Sequence, residues 1–274
     1  MNRRGLKDAS RQCLRDTHSH PKSVTLLFLL AALVIAGLDT GLGTLLQQTA
    51  GKSHSLSQSI SATSRSYILV FLVSLVCQLL LVLLGMGYTS LSLRLSRRED
   101  FDRKILLEGF TLWGKTLLLY IAVSLLMSLW ATAFSIPVSY VLAALDMSGV
   151  ISDAMMIYLL LGYMSVIMLV VSYRYRMAQY VLLDNPQLSI RQVLARTKAI
   201  NKVHRWELFL LDLSFVPWYL LCLLTLGILF IWKLPYLSAT YAHAYNYMVE
   251  DFTQRQARLQ AILDQQRRQM GTMQ

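Results

Sequence analysis

The chain has 274 residues, of which 55% are hydrophobic and only 15% charged, against the roughly 25% charged residues of an ordinary water-soluble domain. Long apolar runs alternate with short basic clusters, a pattern that calls for lipid as the solvent and excludes a large water-soluble core. The net charge of +11 lies in clusters flanking the apolar runs, so it fits the positive-inside rule of membrane proteins and not nucleic-acid binding.

Residues 1–23 are polar and basic and read as a cytoplasmic tail. The leader is too long and too acidic, with Asp8 and Asp16, for a secretory signal. The first span is expected over about 24–46. Gly37, Gly41 and Gly43 weaken its second half around Asp39. Two readings stand there: a helix broken at a polar site, or a helix ending at the outer interface. The second is favoured, because the fifteen apolar residues Val24–Leu38 carry Asp39 past mid-bilayer at ~1.5 Å per residue. Residues 47–66 are rich in Ser, Gln and Thr and read as an outer loop, in which His54 alone makes no metal site.

A second span covers about 67–95, with Gln78 placed to bond a neighbouring helix. Residues 94–111 read as an amphipathic helix at the interface. Its apolar side carries Phe101, Ile105, Leu106 and Gly109, and Arg94, Arg97, Arg98, Arg103 and Lys104 would contact anionic headgroups. Spans over about 113–141, crossing Pro137, and about 154–174 follow, joined by an outer loop with Asp146 and Asp153. Ser189 with Gln192 forms a capping box that opens a basic helix to about Val203.

The last apolar stretch, 206–247, is too long for one crossing and breaks at Leu224-Thr225-Leu226-Gly227, giving spans over about 206–223 and 228–249 and a tail over 250–274. That tail is rich in Gln and Arg, with a thin apolar stripe of Phe252, Leu259, Ile262 and Leu263. Six spans put both termini in the cytoplasm. Of the 26 lysines and arginines, all but Lys52, Arg65 and Lys233 then fall on the cytoplasmic side or in its tails. The expected fold is an all-α, polytopic transmembrane helical bundle.

Lys233, Tyr236, Thr240, His243 and Tyr247 recur at three- and four-residue steps and share one face of the last span. Asp212 lies about two turns into the preceding span, within expected reach of His243. One reading is a polar ligand seam with Asp212 as counter-charge; the favoured one is a set of interhelical hydrogen bonds. Cys13, Cys77 and Cys222 are far apart and read as small core residues, with no disulfide, metal or cofactor implied. No nucleophile elbow, zinc-protease motif or phosphate loop occurs.

Asp184-Asn185-Pro186, Leu213-Ser214-Phe215, Trp218, Thr225-Leu226-Gly227-Ile228 and Pro235-Tyr236 occur in an order that resembles a family of bacterial integral membrane proteins, domain of unknown function 975. The resemblance covers roughly residues 170–250, and the N-terminal half by hydropathy. It implies a multi-pass protein of the bacterial cytoplasmic membrane and supplies no activity or catalytic residue. The reading that follows is a non-enzymatic scaffold or accessory subunit, with lipid headgroups and a membrane-protein partner or a second copy as its contacts. A small transporter or channel, or an intramembrane enzyme acting on lipid, are the alternatives.

Overall fold

The computed structural model describes residues 3–16, 21–50, 56–147 and 152–271. Every regular element among them is helical. Five helical stretches are long and apolar enough to cross a membrane: Pro21–Leu45, Tyr67–Ser96, Trp113–Leu145, Ala154–Asp184 and Ile190–Leu224. The protein is therefore an all-α polytopic membrane protein. The expected sixth span, 228–249, is helical but is not among the five, because Lys233, Ser238, Thr240, His243 and Asn246 dilute its hydropathy. The chain divides into two compact units, Ser10–Tyr120 with Trp218–Ala239, and Met1–Ala9 with Ile121–Pro217 and Thr240–Gln274.

The expected N-terminal tail contains a helix, α1 (Arg3–Asp16). In the first unit it buries Cys13, whose thiol donates to the Leu95 carbonyl. Helix α2 (Pro21–Ala50) packs along α3 (Leu56–Ser96). Thr25 donates to the Pro21 carbonyl at 2.8 Å and meets the Tyr88 hydroxyl at 3.1 Å, and Phe28 stacks on Tyr88 with centroids 4.5 Å apart.

Helix α2 runs unbroken through Asp39, as the expected 24–46 span does and the broken-helix reading does not. In lipid a helix keeps its internal hydrogen bonds even across weak formers, since nothing outside replaces them. Asp39 accepts from Ser74 of α3 at 2.5 Å. The expected 47–66 loop is shorter than anticipated, because α3 starts at Leu56; Lys52 and His54 lie outside the described residues. Gln78 donates to the Tyr120 hydroxyl at 3.2 Å, the interhelical bond anticipated for it.

The segment 94–111 is not one amphipathic helix. A turn through Arg98 (φ 57°) and an Asp102 cap lead into a 3-10 turn, Arg103–Leu107, and a single helical turn, α4 (Glu108–Thr111). Ile105, Leu106 and Gly109 do face inward, as their spacing suggested. Backbone contact replaces a side-chain seam here. A Cβ added to Gly87 would lie 2.1 Å from the Leu106 carbonyl oxygen, and one on Gly109 would lie 2.0 Å from that of Leu83.

In the second unit, α5 (Trp113–Met147) continues through Pro137, and α6 (Asp153–Tyr175) is capped by Ser152, which accepts from the Met155 amide at 3.4 Å. After α7 (Ala178–Asp184), the Ser189–Gln192 capping box opens α8 (Ile190–Leu213). The basic helix and the start of the next expected span are thus one helix, with no break at Val203–Trp206. The break falls instead at Ser214–Phe215, where the ring of Pro217 denies the Leu213 carbonyl a place in the ladder. Buried Val193, Leu194, Thr197, Ile200, Asn201, His204, Leu208 and Leu211 form one stripe along α8.

Helix α9 (Val216–Leu224) ends in a Schellman motif. The Gly227 amide bonds the Cys222 carbonyl at 2.8 Å and the Leu226 amide bonds that of Leu223 at 3.1 Å. Leu226 takes the left-handed position (φ 50°), and Gly227 follows it at φ 85°. The hairpin turn is thus where the sequence placed it. Helix α10 (Phe230–Gly271) then runs through the expected tail boundary at 249–250.

Because Gly87 and Gly109 meet backbone that cannot rotate away, Gly109→Ala should destabilise the protein by ~1–3 kcal/mol, the usual cost of overpacking. A thermal unfolding midpoint in detergent unchanged by Gly109→Ala would show that this contact is looser than described.

Candidate functional site

The functional candidates concentrate in the second unit along α8. Asp212 sits within an apolar stretch, where an uncompensated charge costs roughly 2.5–3.5 kcal/mol or more. Three donors meet it. The Tyr173 hydroxyl bonds Oδ2 at 2.6 Å, the Arg176 guanidinium bonds Oδ1 at 3.0 Å, and the Tyr241 hydroxyl also bonds Oδ1. Arg176 is itself held against the Tyr173 and Tyr241 rings, 5.5 and 4.9 Å from their centroids. Phe215 closes one side of Tyr241 edge-on at 5.9 Å. The result is a neutral pair with its donors and acceptors turned on one another.

Two turns earlier on α8, His204 is 5% exposed at its side chain and lies between two carboxylates. Its Nδ1 is 2.5 Å from Glu207 and its Nε2 is 2.9 Å from Asp251 of α10, and Asp251 also pairs with Arg255 at 2.8 Å. Burial pushes the Asp251 carboxyl up, but the His204 hydrogen bond and Arg255 outweigh it and hold its pKa below the ordinary value. One turn further back, the Asn201 amide donates to the Tyr173 and Arg174 carbonyls at 3.1 and 3.4 Å, fastening α8 to the end of α6. Tyr245 of α10 donates to Asp184 at 2.9 Å and stacks on Tyr180 at 5.2 Å.

These contacts revise the seam read from spacing. Asp212 is met by Tyr241 of α10, and Arg176 supplies a counter-charge to it. Thr240 is fully buried, and Tyr247 lies edge-on to His204 at 5.8 Å. Lys233 and Tyr236 belong to the other unit. There, Lys233 sits 3.8 Å over the Trp218 ring, and Arg11 lies 5.8 Å from the Tyr236 centroid.

The anticipated headgroup cluster is also partly engaged. Arg94 pairs with Glu108, which Ser90 also bonds at 2.6 Å, and Arg98 lies 3.7 Å from Asp16. Arg97, Arg103 and Lys104 are exposed.

Sequence reasoning did not single out Tyr173, Arg176, Tyr241, His204, Glu207 or Asp251. A signal existed in two cases: Tyr173 with Arg176, and His204 with Glu207, stand three apart, the spacing that puts a pair on one helix face. The pairing of Asp251 with His204 spans 47 residues and has no local signature.

Chemically, this arrangement holds helices together. Both oxygens of Asp212 and both nitrogens of His204 are engaged within the protein. Among the described residues no group of three or more His, Cys, Asp or Glu is arranged to hold a metal ion.

A family model described as a protein of unknown function (DUF975) matches residues 1–251, and the chain belongs to that family. The match reaches well beyond the 170–250 region that carried the resemblance. No curated protein and no solved structure matches the chain. The motif residues hold the fold. Asp184 receives Tyr245, the Asn185 amide donates to the Val181 carbonyl at 3.3 Å, Phe215 is fully buried, and Leu226-Gly227 makes the left-handed turn.

Since the folded state holds Asp251 below its ordinary pKa, this carboxylate adds stability above the unfolded value, ~3.9. That contribution is lost as pH falls through the lower folded value. Between neutral pH and about pH 2, the thermal midpoint in detergent should therefore drop more steeply for the natural protein than for Asp251→Asn. Parallel curves would show that the His204–Asp251 contact contributes nothing to stability.

Proposed function

We propose that the protein is a non-catalytic scaffold or accessory subunit of a bacterial cytoplasmic membrane. It would act through helix packing and through a basic cytoplasmic face turned to anionic headgroups and to a membrane-protein partner or a second copy of itself. The observation that carries this reading is the Asp212 cluster. An intramembrane charge that serves transport exchanges partners with a solute or an ion. Asp212 instead has Tyr173, Arg176 and Tyr241 on its two oxygens. The basic residues of α8 that precede the apolar stretch, including Arg191, Lys198 and Lys202, supply the charged face. Roughly 1 kcal/mol per basic residue near an anionic surface makes such a face a membrane and partner contact without any pocket.

Cysteine accessibility distinguishes the readings. In a background lacking Cys13, Cys77 and Cys222, Thr240→Cys places a thiol at a fully buried position on the helix that supplies Tyr241. Membrane-impermeant thiol reagents applied to either side of sealed vesicles should leave it unmodified, while cysteines in the exposed 255–270 region react. Rapid modification of Thr240→Cys would mean that water enters beside the cluster, and the transporter reading would replace the scaffold.

A further inference from the structure

A groove of about 410 Å³ opens between α6 and α8 in the second unit. Its α6 wall is Val166, Leu169, Val170 and Tyr173, at steps of three and four along one helix face. Its α8 wall is Arg205, Trp206 and Phe209. Trp206 stacks on Phe209 at 5.2 Å, and Phe209 meets Tyr173 edge-on at 6.1 Å, so an aromatic row lines one side. The Tyr173 hydroxyl is already donated to Asp212, which leaves an almost wholly apolar channel with one cation at its end.

The Arg205 Nε is buried with no acceptor among the described residues, as are those of Arg174 and Arg196, and of the three Arg205 lines the groove. Two other basic side chains of this unit do have acceptors: Arg176 pairs with Asp212 and His204 with Glu207 and Asp251. A buried guanidinium N–H without an acceptor is costly, and the acceptor it fits best is a planar or tetrahedral oxyanion. Arg205 and Trp206 also mark the point where α8 passes from its basic half to its apolar half, which is headgroup depth for a tryptophan anchor.

We propose that this groove binds one anionic phospholipid, with an acyl chain along Val166, Val170 and Phe209 and its phosphate on Arg205. A soluble anion would satisfy the guanidinium but leave the apolar channel open. A neutral lipid would fill the channel but bring no net negative charge to the arginine. Only a lipid with both parts meets both walls. This site is separate from the Asp212 cluster and stands whether or not the scaffold reading holds.

Trp206 provides the probe. The full chain, carrying Trp206 as its only tryptophan after Trp113, Trp130, Trp218 and Trp232 are changed to Phe, is reconstituted in vesicles containing acyl-brominated phosphatidylglycerol or acyl-brominated phosphatidylcholine. Half-maximal quenching of Trp206 should need about fivefold less of the brominated phosphatidylglycerol, the factor expected of one basic residue beside an anionic lipid. Arg205→Gln should bring the ratio to one, Arg205→Lys should keep most of it, and Val170→Phe should weaken quenching by both lipids. Equal quenching by the two lipids in the Arg205 protein would overturn the proposal and leave only the ordinary lipid annulus. Protection of Trp206 by added inorganic phosphate would overturn it in favour of a soluble anion, and indifference to Val170→Phe would remove the acyl chain from the groove. The Arg205 protein alone decides the first outcome, so the test survives a variant that fails to fold.

Discussion

A carboxylate in hydrocarbon has no water to lean on, so the protein itself must supply its counter-charge and its hydrogen-bond donors. Asp212 obtains both from Arg176, Tyr173 and Tyr241, drawn from two other parts of the chain up to 39 residues away. The arrangement of the second unit follows from that requirement. The end of α6 must reach the C-terminal end of α8, and α10 must bring a tyrosine to the same carboxylate. Removing one member leaves a buried charge on the other, so the cluster favours a single arrangement of these helices over alternatives with similar apolar packing.

Helix α8 carries this requirement along its length. Its buried stripe holds Leu208 and Leu211 at full burial beside polar Asn201 and His204, and each polar member faces a group from another element. Dispersion between apolar helices gives little direction in a membrane, because lipid tails are as apolar as leucine. Direction comes from the polar contacts: the Asn201 amide on α6 carbonyls, His204 on α10, and Asp212 on both. The first unit is fastened by another device, backbone meeting backbone at Gly87 and Gly109, which excludes any side chain between them.

How far the sequence foretold this depends on how local each cause is. Hydropathy is a local property, and the apolar stretches, the all-α class, the Ser189–Gln192 cap and the turn at Leu226-Gly227 were all legible from it and from short-range chemistry. The continuity of α8 was not, because its change from basic to apolar at Arg205–Trp206 looks like a boundary although nothing there stops a helix. The same holds for α2 at Asp39, where glycines lower helix propensity without ending a helix in lipid. Asp212 was identified as a charge that needs a partner, yet the partner was sought on the face containing His243. Tyr241, two residues before His243, reaches it. A two-residue difference is a rotation of about 200° around a helix, and spacing alone does not fix the rotation of one helix against another. Arg176 follows α6 directly and turns back to Asp212.

The central claim is that Asp212 and Arg176 act as a unit, and a double-mutant cycle tests it most directly. Unfolding of the purified protein in detergent would be compared for the natural chain, Asp212→Leu, Arg176→Met and the double variant. The account predicts that each single change is strongly destabilising, on the order of 3 kcal/mol, because it strands the other charge. It also predicts that the double variant is more stable than either single one, a coupling well above the ~0.5 kcal/mol scatter of independent sites. Additive single effects would contradict the account, and Asp212 would then be a charge held open for something else.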